Sequence, residues 1–232
     1  MENRTPSLWH TAQELGFVLD IINLITHRRQ LQEFHRRLRS IPCVVVPGLG
    51  STDFATLAMR HFLSSTGMVV HKSGLRRNTG DVKELVPRVR DQLERVFLLT
   101  GQPAILVGWS LGGIIARQVA RQCPEKIRGV CTMGSPIVGG GKYSAYAPIY
   151  RRMGMDLDWM ETRCNEREQV PLTVPSLSIY SKRDGIVFWN ACVDVFNDHT
   201  RNVEVDCRHF GMGFSPQLFA LLVQWLEELD AV

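Results

Sequence analysis

Pro103-Ala104-Ile105-Leu106-Val107-Gly108-Trp109-Ser110-Leu111-Gly112-Gly113-Ile114-Ile115 is the stretch whose reading decides the fold. Its first part is short, continuously apolar and opened by a proline, as a strand buried on both faces would be. After it, Ile114, Ile115, Val119 and Ala120 recur at helical spacing among Arg117, Gln118 and Arg121. Between the two lies a Gly-x-Ser-x-Gly pentapeptide. A side chain held at the apex of so tight a strand-to-helix turn needs neighbours with almost no side chain, and Ser110 is that apex. Helix capping by Ser110 is the plainer alternative, but capping alone would not call for small residues on both sides of it.

The surrounding pattern repeats the alternation. Ile41–Val46, Met68–Val70, Val130–Met133, Leu177–Tyr180 and Val203–Val205 read as strands. Phe54–Leu63, Val82–Leu99 and Pro216–Leu229 read as helices, and the helix after Ser110 ends near Cys123-Pro124. Strands alternating with helices at this spacing predict an α/β domain over residues 41–232, with about six mostly parallel strands and helices on both faces. One stretch breaks the rhythm. Between Gly139-Gly140-Gly141 and Pro171, Tyr143, Tyr146, Tyr150, Met153, Met155, Trp159 and Met160 show weak periodicity. This insertion, residues 139–173, reads either as a lid over a substrate or as a surface helix filling a gap.

Residues 1–40 form a separate segment. Leu8, Trp9, Leu15, Val18, Ile21, Ile22, Ile25, Leu31, Phe34 and Leu38 recur at steps near three and four, predicting one long or two shorter amphipathic helices. The apolar part is too short to span a bilayer and is interrupted by Asp20 and Asn23. Its apolar face is expected to pack on the domain; with Arg28, Arg29, Arg36, Arg37 and Arg39 following, peripheral contact with an anionic membrane through residues 7–39 is the alternative.

Composition bounds the rest. The 232 residues suit one domain more naturally than two, and 44% hydrophobic with 22% charged residues is ordinary for a globular protein. A net charge of +4, concentrated in His27-Arg28-Arg29 and His35–Arg39, argues against a diffuse nucleic-acid surface. Met-Glu-Asn-Arg-Thr-Pro lacks the order of a secretory signal, so the expected location is cytoplasmic. The six cysteines show no metal-ligand spacing; Cys43 and Cys131 read as small buried hydrophobes, and a Cys192–Cys207 bridge is conceivable in an oxidising compartment.

A serine hydroxyl needs a base to become a nucleophile, and the base needs a carboxylate to orient it. In parallel-sheet enzymes of this kind the order along the chain is serine, acid, histidine. Beyond Ser110 only His199 and His209 remain. His209 follows the last strand in Arg208-His209-Phe210-Gly211-Met212-Gly213 and is preferred; His199 sits in a polar turn before that strand. The acid is expected after the penultimate strand, at Asp184 in Lys182-Arg183-Asp184-Gly185, where simple turn chemistry is the competing explanation. Asp194, Asp198 and Asp206 read as helix-end, turn and strand-margin residues. Two backbone N–H groups must hold the oxyanion: that of Leu111, after the serine, and one from Pro47-Gly48-Leu49-Gly50-Ser51, for which Leu49 is chosen. No Gly-Lys-Ser/Thr follows that loop, so it is not a nucleotide site.

The succession Val-Val-Val-Pro-Gly-x-Gly, Gly-Trp-Ser-Leu-Gly-Gly, Met-Gly-Ser-Pro, Ser-Lys-Arg-Asp-Gly-Ile-Val and His-Phe-Gly-Met-Gly-Phe-x-Pro resembles the α/β-hydrolase family, in particular its small bacterial esterase and lipase-like members. The resemblance covers residues 41–232. It implies Ser110 as nucleophile, Asp184 as acid, His209 as base and Leu49 and Leu111 as oxyanion donors, with no metal or organic cofactor. It departs from the family at the start, where helix replaces the two strands that usually open the fold. The expected activity is hydrolysis of carboxylic esters with a hydrophobic acyl group through an acyl-enzyme. Acyltransferase or thioesterase activity with the same triad, or lipid or partner binding without catalysis, are the alternatives.

Overall fold

Six runs rich in β-branched and aliphatic residues pair side by side in the computed structural model, which describes residues 5–230. They are β1 (Pro42–Val46), β2 (Val69–Lys72), β3 (Ala104–Trp109), β4 (Ile127–Met133), β5 (Ser176–Tyr180) and β6 (Thr200–Glu204). Every pairing is parallel, in the order β2-β1-β3-β4-β5-β6. The chain therefore starts near the middle of the sheet, moves to one edge, returns and fills the other side. The point of return lies between β1 and β3, where such sheets bind their ligands.

Side chains alternate between two cores because successive residues of a strand face opposite ways. Cys43, Val45, Ile105, Val107, Cys131 and Met133 join Met59, Phe62 and Leu63 of α4 (Leu57–Ser65) and Leu218, Phe219 and Leu222 of α9 (Pro216–Asp230). Val44, Val46, Leu106 and Val130 face the other way, against α5 (Val82–Thr100) and α6 (Leu111–Gln122). Both faces of the sheet are thus sealed at its centre, which is why β1 and β3 read as unbroken apolar runs.

The first segment is helical but broken: α1 (Leu8–Gln13), a 3-10 turn (Glu14–Gly16), α2 (Phe17–Thr26), α3 (Arg28–Leu31) and a second 3-10 turn (Gln32–Phe34). Only its later half packs as expected. Leu24, Leu31, Phe34 and Leu38 join the first core, Phe34 edge-on to Phe62, which stacks on Phe219. Leu8, Trp9, Leu15, Val18, Leu19, Ile22 and Ile25 instead stay exposed, so the expectation of a fully packed apolar face fails for α1 and most of α2. Those helices are held by the polar contacts of Thr11, Glu14 and Asp20 together with Phe17 and Leu24, which leaves the rest of their apolar residues outside.

The insertion forms a 3-10 turn (Gly140–Tyr143), α7 (Ala147–Arg152) and α8 (Leu157–Glu168). Lys142 bonds Asp158 at 2.5 Å and Glu161 at 2.6 Å, and the Tyr143 hydroxyl donates to Glu161 at 2.5 Å. All six cysteines are free thiols, so Cys192 and Cys207 are not bridged. No helix among the described residues is long and apolar enough to cross a membrane. Residues 1–4, on which the reading of a missing secretory signal rests, lie outside the described residues.

Candidate active site

The turn at Ser110 is made by crowding. A side-chain carbon at Gly108 would collide with the Cα of Gly113, and one at Gly112 with the carbonyls of Val46 and Pro47. The small residues thus let α6 press against the ends of β1 and β3. Ser110 adopts φ 55° and ψ −126°, a conformation rare for a residue with a side chain and one that marks stored strain. Its N–H donates to the Met133 carbonyl at 2.8 Å, fastening the apex to the end of β4. The hydroxyl makes no capping hydrogen bond to α6, which removes helix capping as the reason for a serine here.

Asp184 and His209 come together. The Nδ1–H of His209 faces Asp184 Oδ2 at 2.6 Å, with both side chains buried. The other oxygen, Oδ1, accepts the N–H groups of Ile186 at 2.8 Å and Val187 at 2.7 Å. Asp184 therefore does perform the turn chemistry that competed with a functional reading, but with only one of its oxygens. With Nδ1 donating to the carboxylate, Nε2 is left as an acceptor. Burial alone would lower the His209 pKa; the Asp184 charge, the hydrogen bond to it and the Glu14 charge outweigh that and hold it above its ordinary 6.5.

Ser110 and His209 line one cavity of about 140 Å³, together with Gly48, Leu49, Ser51, Ala55, Trp109, Tyr146, Ile186 and Phe210. Tyr146 is the insertion's contribution to this lining. Leu49 is among the lining residues, and its N–H donates to no backbone acceptor among the described residues. Leu111 opens α6, so its N–H has no carbonyl within the helix to bond. The remaining candidates are elsewhere. Asp194 is buried against Arg117 and Thr200, and Asp206 is exposed beside Arg183. Among the described residues no His, Cys, Asp and Glu cluster could hold a metal ion. The thiols are no rivals to Ser110: burial pushes Cys43 and Cys207 up to about 12.

Three supporting residues escaped the sequence reading. Buried Asn78 holds the Gly48–Ser51 loop: its amide donates to the Pro47 carbonyl at 2.9 Å, its own carbonyl accepts the Gly50 N–H at 2.7 Å, and its N–H donates to Ser51. Gly134, at φ +56°, lies against His209 Nδ1, Asp184 Oδ2 and Met212 Sδ, so a side chain there would strike the acid and histidine pair. Its sequence signal was its place in Met133-Gly134-Ser135-Pro136 after a strand end, a motif that pointed to the family but to no role for the glycine. Glu14 is buried 195 residues before His209 and bonds to its backbone; nothing local distinguished it.

No family model matches the chain. Over 45 residues, 19% of this chain and 17% of the other, it is 42% identical to the pimeloyl-acyl-carrier-protein methyl ester esterase of Yersinia enterocolitica. The match thus spans less than a fifth of that relative's length. Solved structures are similar over far more of the chain. Est1E from Butyrivibrio proteoclasticus has a TM-score of 0.65 at 13% identity, covering 84% of this chain and 90% of that one. The monoacylglycerol lipase of Paleococcus ferrophilus has 0.62 at 16%, covering 83% and 97%. An α/β superfamily hydrolase from Oenococcus oeni has 0.61 at 13%, covering 82% and 93%. With its parallel sheet, its sharp turn at Ser110 and these neighbours, the chain has the α/β-hydrolase fold, in a six-stranded form.

Proposed function

We propose that the protein is a serine hydrolase of carboxylic esters, with Ser110 as nucleophile, His209 as base, Asp184 as its orienting acid and the N–H groups of Leu49 and Leu111 as oxyanion donors. The observation that carries this is the cavity shared by Ser110 and His209, together with the 2.6 Å contact between His209 Nδ1 and Asp184. His209 Nε2 removes the Ser110 proton as Oγ bonds to the ester carbonyl carbon. The tetrahedral oxyanion is held by the two N–H groups. His209 then gives the proton to the leaving alkoxide, which departs as the alcohol and leaves an acyl-serine. Water, deprotonated by the same imidazole, releases the carboxylic acid and restores Ser110.

The acyl group is apolar, and the part of it that enters the cavity is short. The cavity is of the size that, lined by apolar groups, takes up a benzene molecule, on the order of 150 Å³. Trp109, Ile186, Tyr146 and Phe210 supply the apolar walls, with the insertion at 139–173 acting as a lid through Tyr146. The same triad would serve a thioester or an acceptor alcohol, and product analysis separates these reactions. The exposed apolar stripe of α1 and α2, followed by exposed Arg28, Arg29, Arg36 and Arg39, supports contact with an anionic lipid surface as part of this reading.

The test is turnover of p-nitrophenyl esters of increasing acyl length, with fluorophosphonate labelling and peptide mapping. The expected result is labelling at Ser110, highest kcat/KM for short acyl chains, and loss of several orders of magnitude in kcat for Ser110→Ala. No ester turned over and no label on Ser110 would overturn the reading.

A further inference from the structure

The strap formed by α1, the turn at Glu14–Gly16 and α2 crosses the loops that carry Asp184 and His209. Glu14 is its most buried residue, 3% exposed. One carboxylate oxygen, Oε1, accepts both the Gly185 N–H and the His209 N–H at 2.8 Å; the other, Oε2, accepts the Phe210 N–H at 2.9 Å. None of the three donors has another acceptor among the described residues. Around this clamp, the Thr11 hydroxyl donates to the Gly185 carbonyl at 2.7 Å, Arg208 pairs with Asp20 at 3.3 Å, and Phe17 meets Phe210 edge to face.

We infer that Glu14 is a positioning residue for the serine site, tying the acid loop to the histidine loop so that His209 is presented to Ser110. The inference rests on the serine-hydrolase reading for what the presentation achieves. A buried carboxylate is costly unless fully hydrogen-bonded, and a strap could be fixed to the surface by apolar contacts alone. Here a charge is placed instead on the two loops that must converge. Gly185 follows Asp184 directly, and the other two donors are His209 itself and its neighbour.

The charge has a second effect. The charged groups around His209 are Asp184 on its own side of the sheet end, Glu14 on the strap, and the mutually paired Arg208 and Asp20 next to it. Glu14 adds to Asp184 in favouring the imidazolium, which is the form His209 takes while the tetrahedral intermediates exist. Glu14 touches no substrate; it acts through where His209 sits and how readily it holds a proton.

The experiment compares the parent with Glu14→Gln, Glu14→Asp and Thr11→Val in ester kinetics across pH, alongside an NMR titration of the His209 ring. Glu14→Gln keeps the shape, removes the charge and turns one acceptor into a donor facing an N–H. It should lower kcat by about ten- to a hundredfold with KM within about twofold, as small misplacements of a reacting group do, and move the acid limb and the His209 titration to lower pH. Glu14→Asp keeps the charge but is too short to span both loops, so it should lose kcat with the acid limb nearly in place. Thr11→Val should lose about two- to fivefold in kcat, by loosening one side of the clamp. Glu14→Gln with the parent's kcat, acid limb and His209 titration overturns the inference. If Glu14→Gln does not fold, Glu14→Asp and Thr11→Val with parental kcat overturn it instead. Phosphonate labelling of Ser110 in the parent separates this failure from that of the underlying reading. Should the parent turn over no ester, an unmoved His209 titration in Glu14→Gln overturns the inference alone.

Discussion

Asp184 divides its two oxygens between tasks: Oδ1 is saturated by the N–H groups of Ile186 and Val187, and Oδ2 alone faces His209. The carboxylate cannot rotate away without abandoning two backbone donors, so the imidazole meets a fixed partner. The pH dependence follows from this. His209 is a base only when neutral, and its pKa is held above 6.5, so kcat/KM should rise with pH along a limb whose midpoint lies above 6.5. Asp184→Asn removes a negative charge that favours the protonated ring, so the limb should move to lower pH. The same change offers the ring the wrong tautomer and should cut kcat by about three to four orders of magnitude. A parental midpoint at or below 6.5 would contradict this account. At this scale the sequence showed what local pattern fixes: Ser110 between glycines, Asp184 after a strand, His209 in a glycine-rich loop. It hid what depends on distant contacts. Asn78 looks like any polar turn residue until its amide is seen on Pro47, and Glu14 like any solvated helix carboxylate.

Helix α6 carries more than the end of the elbow. Arg117, wholly buried, pairs with Glu168 at the end of α8 at 2.6 Å and with Asp194 ahead of β6 at 2.8 Å; Arg121 shares Glu168. The periodicity of the stretch had put Arg117 on the polar face of its helix, and so it is, but that face is covered by the insertion and by the loop before β6. Burial pushes the Asp194 carboxyl up, yet the Arg117 charge and its hydrogen bonds bring it below the ordinary 3.8. Arg117→Leu would leave Asp194 buried without a cation and Glu168 with Arg121 alone. The expected loss is about 3–5 kcal/mol, read as a lower urea midpoint at unchanged slope. Arg88→Ala, which removes an exposed pair with Glu84, should cost less than about 1 kcal/mol. Equal losses would show that the buried network holds nothing in place. Strand and helix existence was legible where the periods are strong, over the sheet and its covering helices, but not in the weakly periodic insertion, whose two helices α7 and α8 had no clear pattern. The broken geometry of the first segment was not, since its turn at Glu14 is dictated by loops far away in the chain.

For the molecule as a whole, the strap has two unlike faces. Inward, Glu14, Thr11 and Asp20 clamp the site, beside Phe17 and Leu24; outward it shows Leu8 at 89%, Leu15 at 83% and Trp9 at 70% exposure. Such a stripe beside several arginines is suited to anionic lipid. Sedimentation with vesicles should show binding that grows with phosphatidylglycerol content and falls with added salt. Replacing Trp9 and Leu15 by serine should weaken it without changing hydrolysis of a water-soluble ester. Equal recovery from neutral and anionic vesicles, or none from either, would refute the lipid contact.

The clamp also bears on how the protein comes to life. Glu14 and its partner at position 209 are 195 residues apart, so the clamp closes one of the longest loops the chain can make. Contacts of such sequence separation form slowly, because the ends must find each other after the intervening chain has condensed. A polypeptide emerging from a ribosome would therefore carry a finished serine turn long before it could use it. In refolding, hydrolytic competence should reappear later than far-ultraviolet ellipticity, and simultaneous recovery would mean that the early segment docks before the rest has settled.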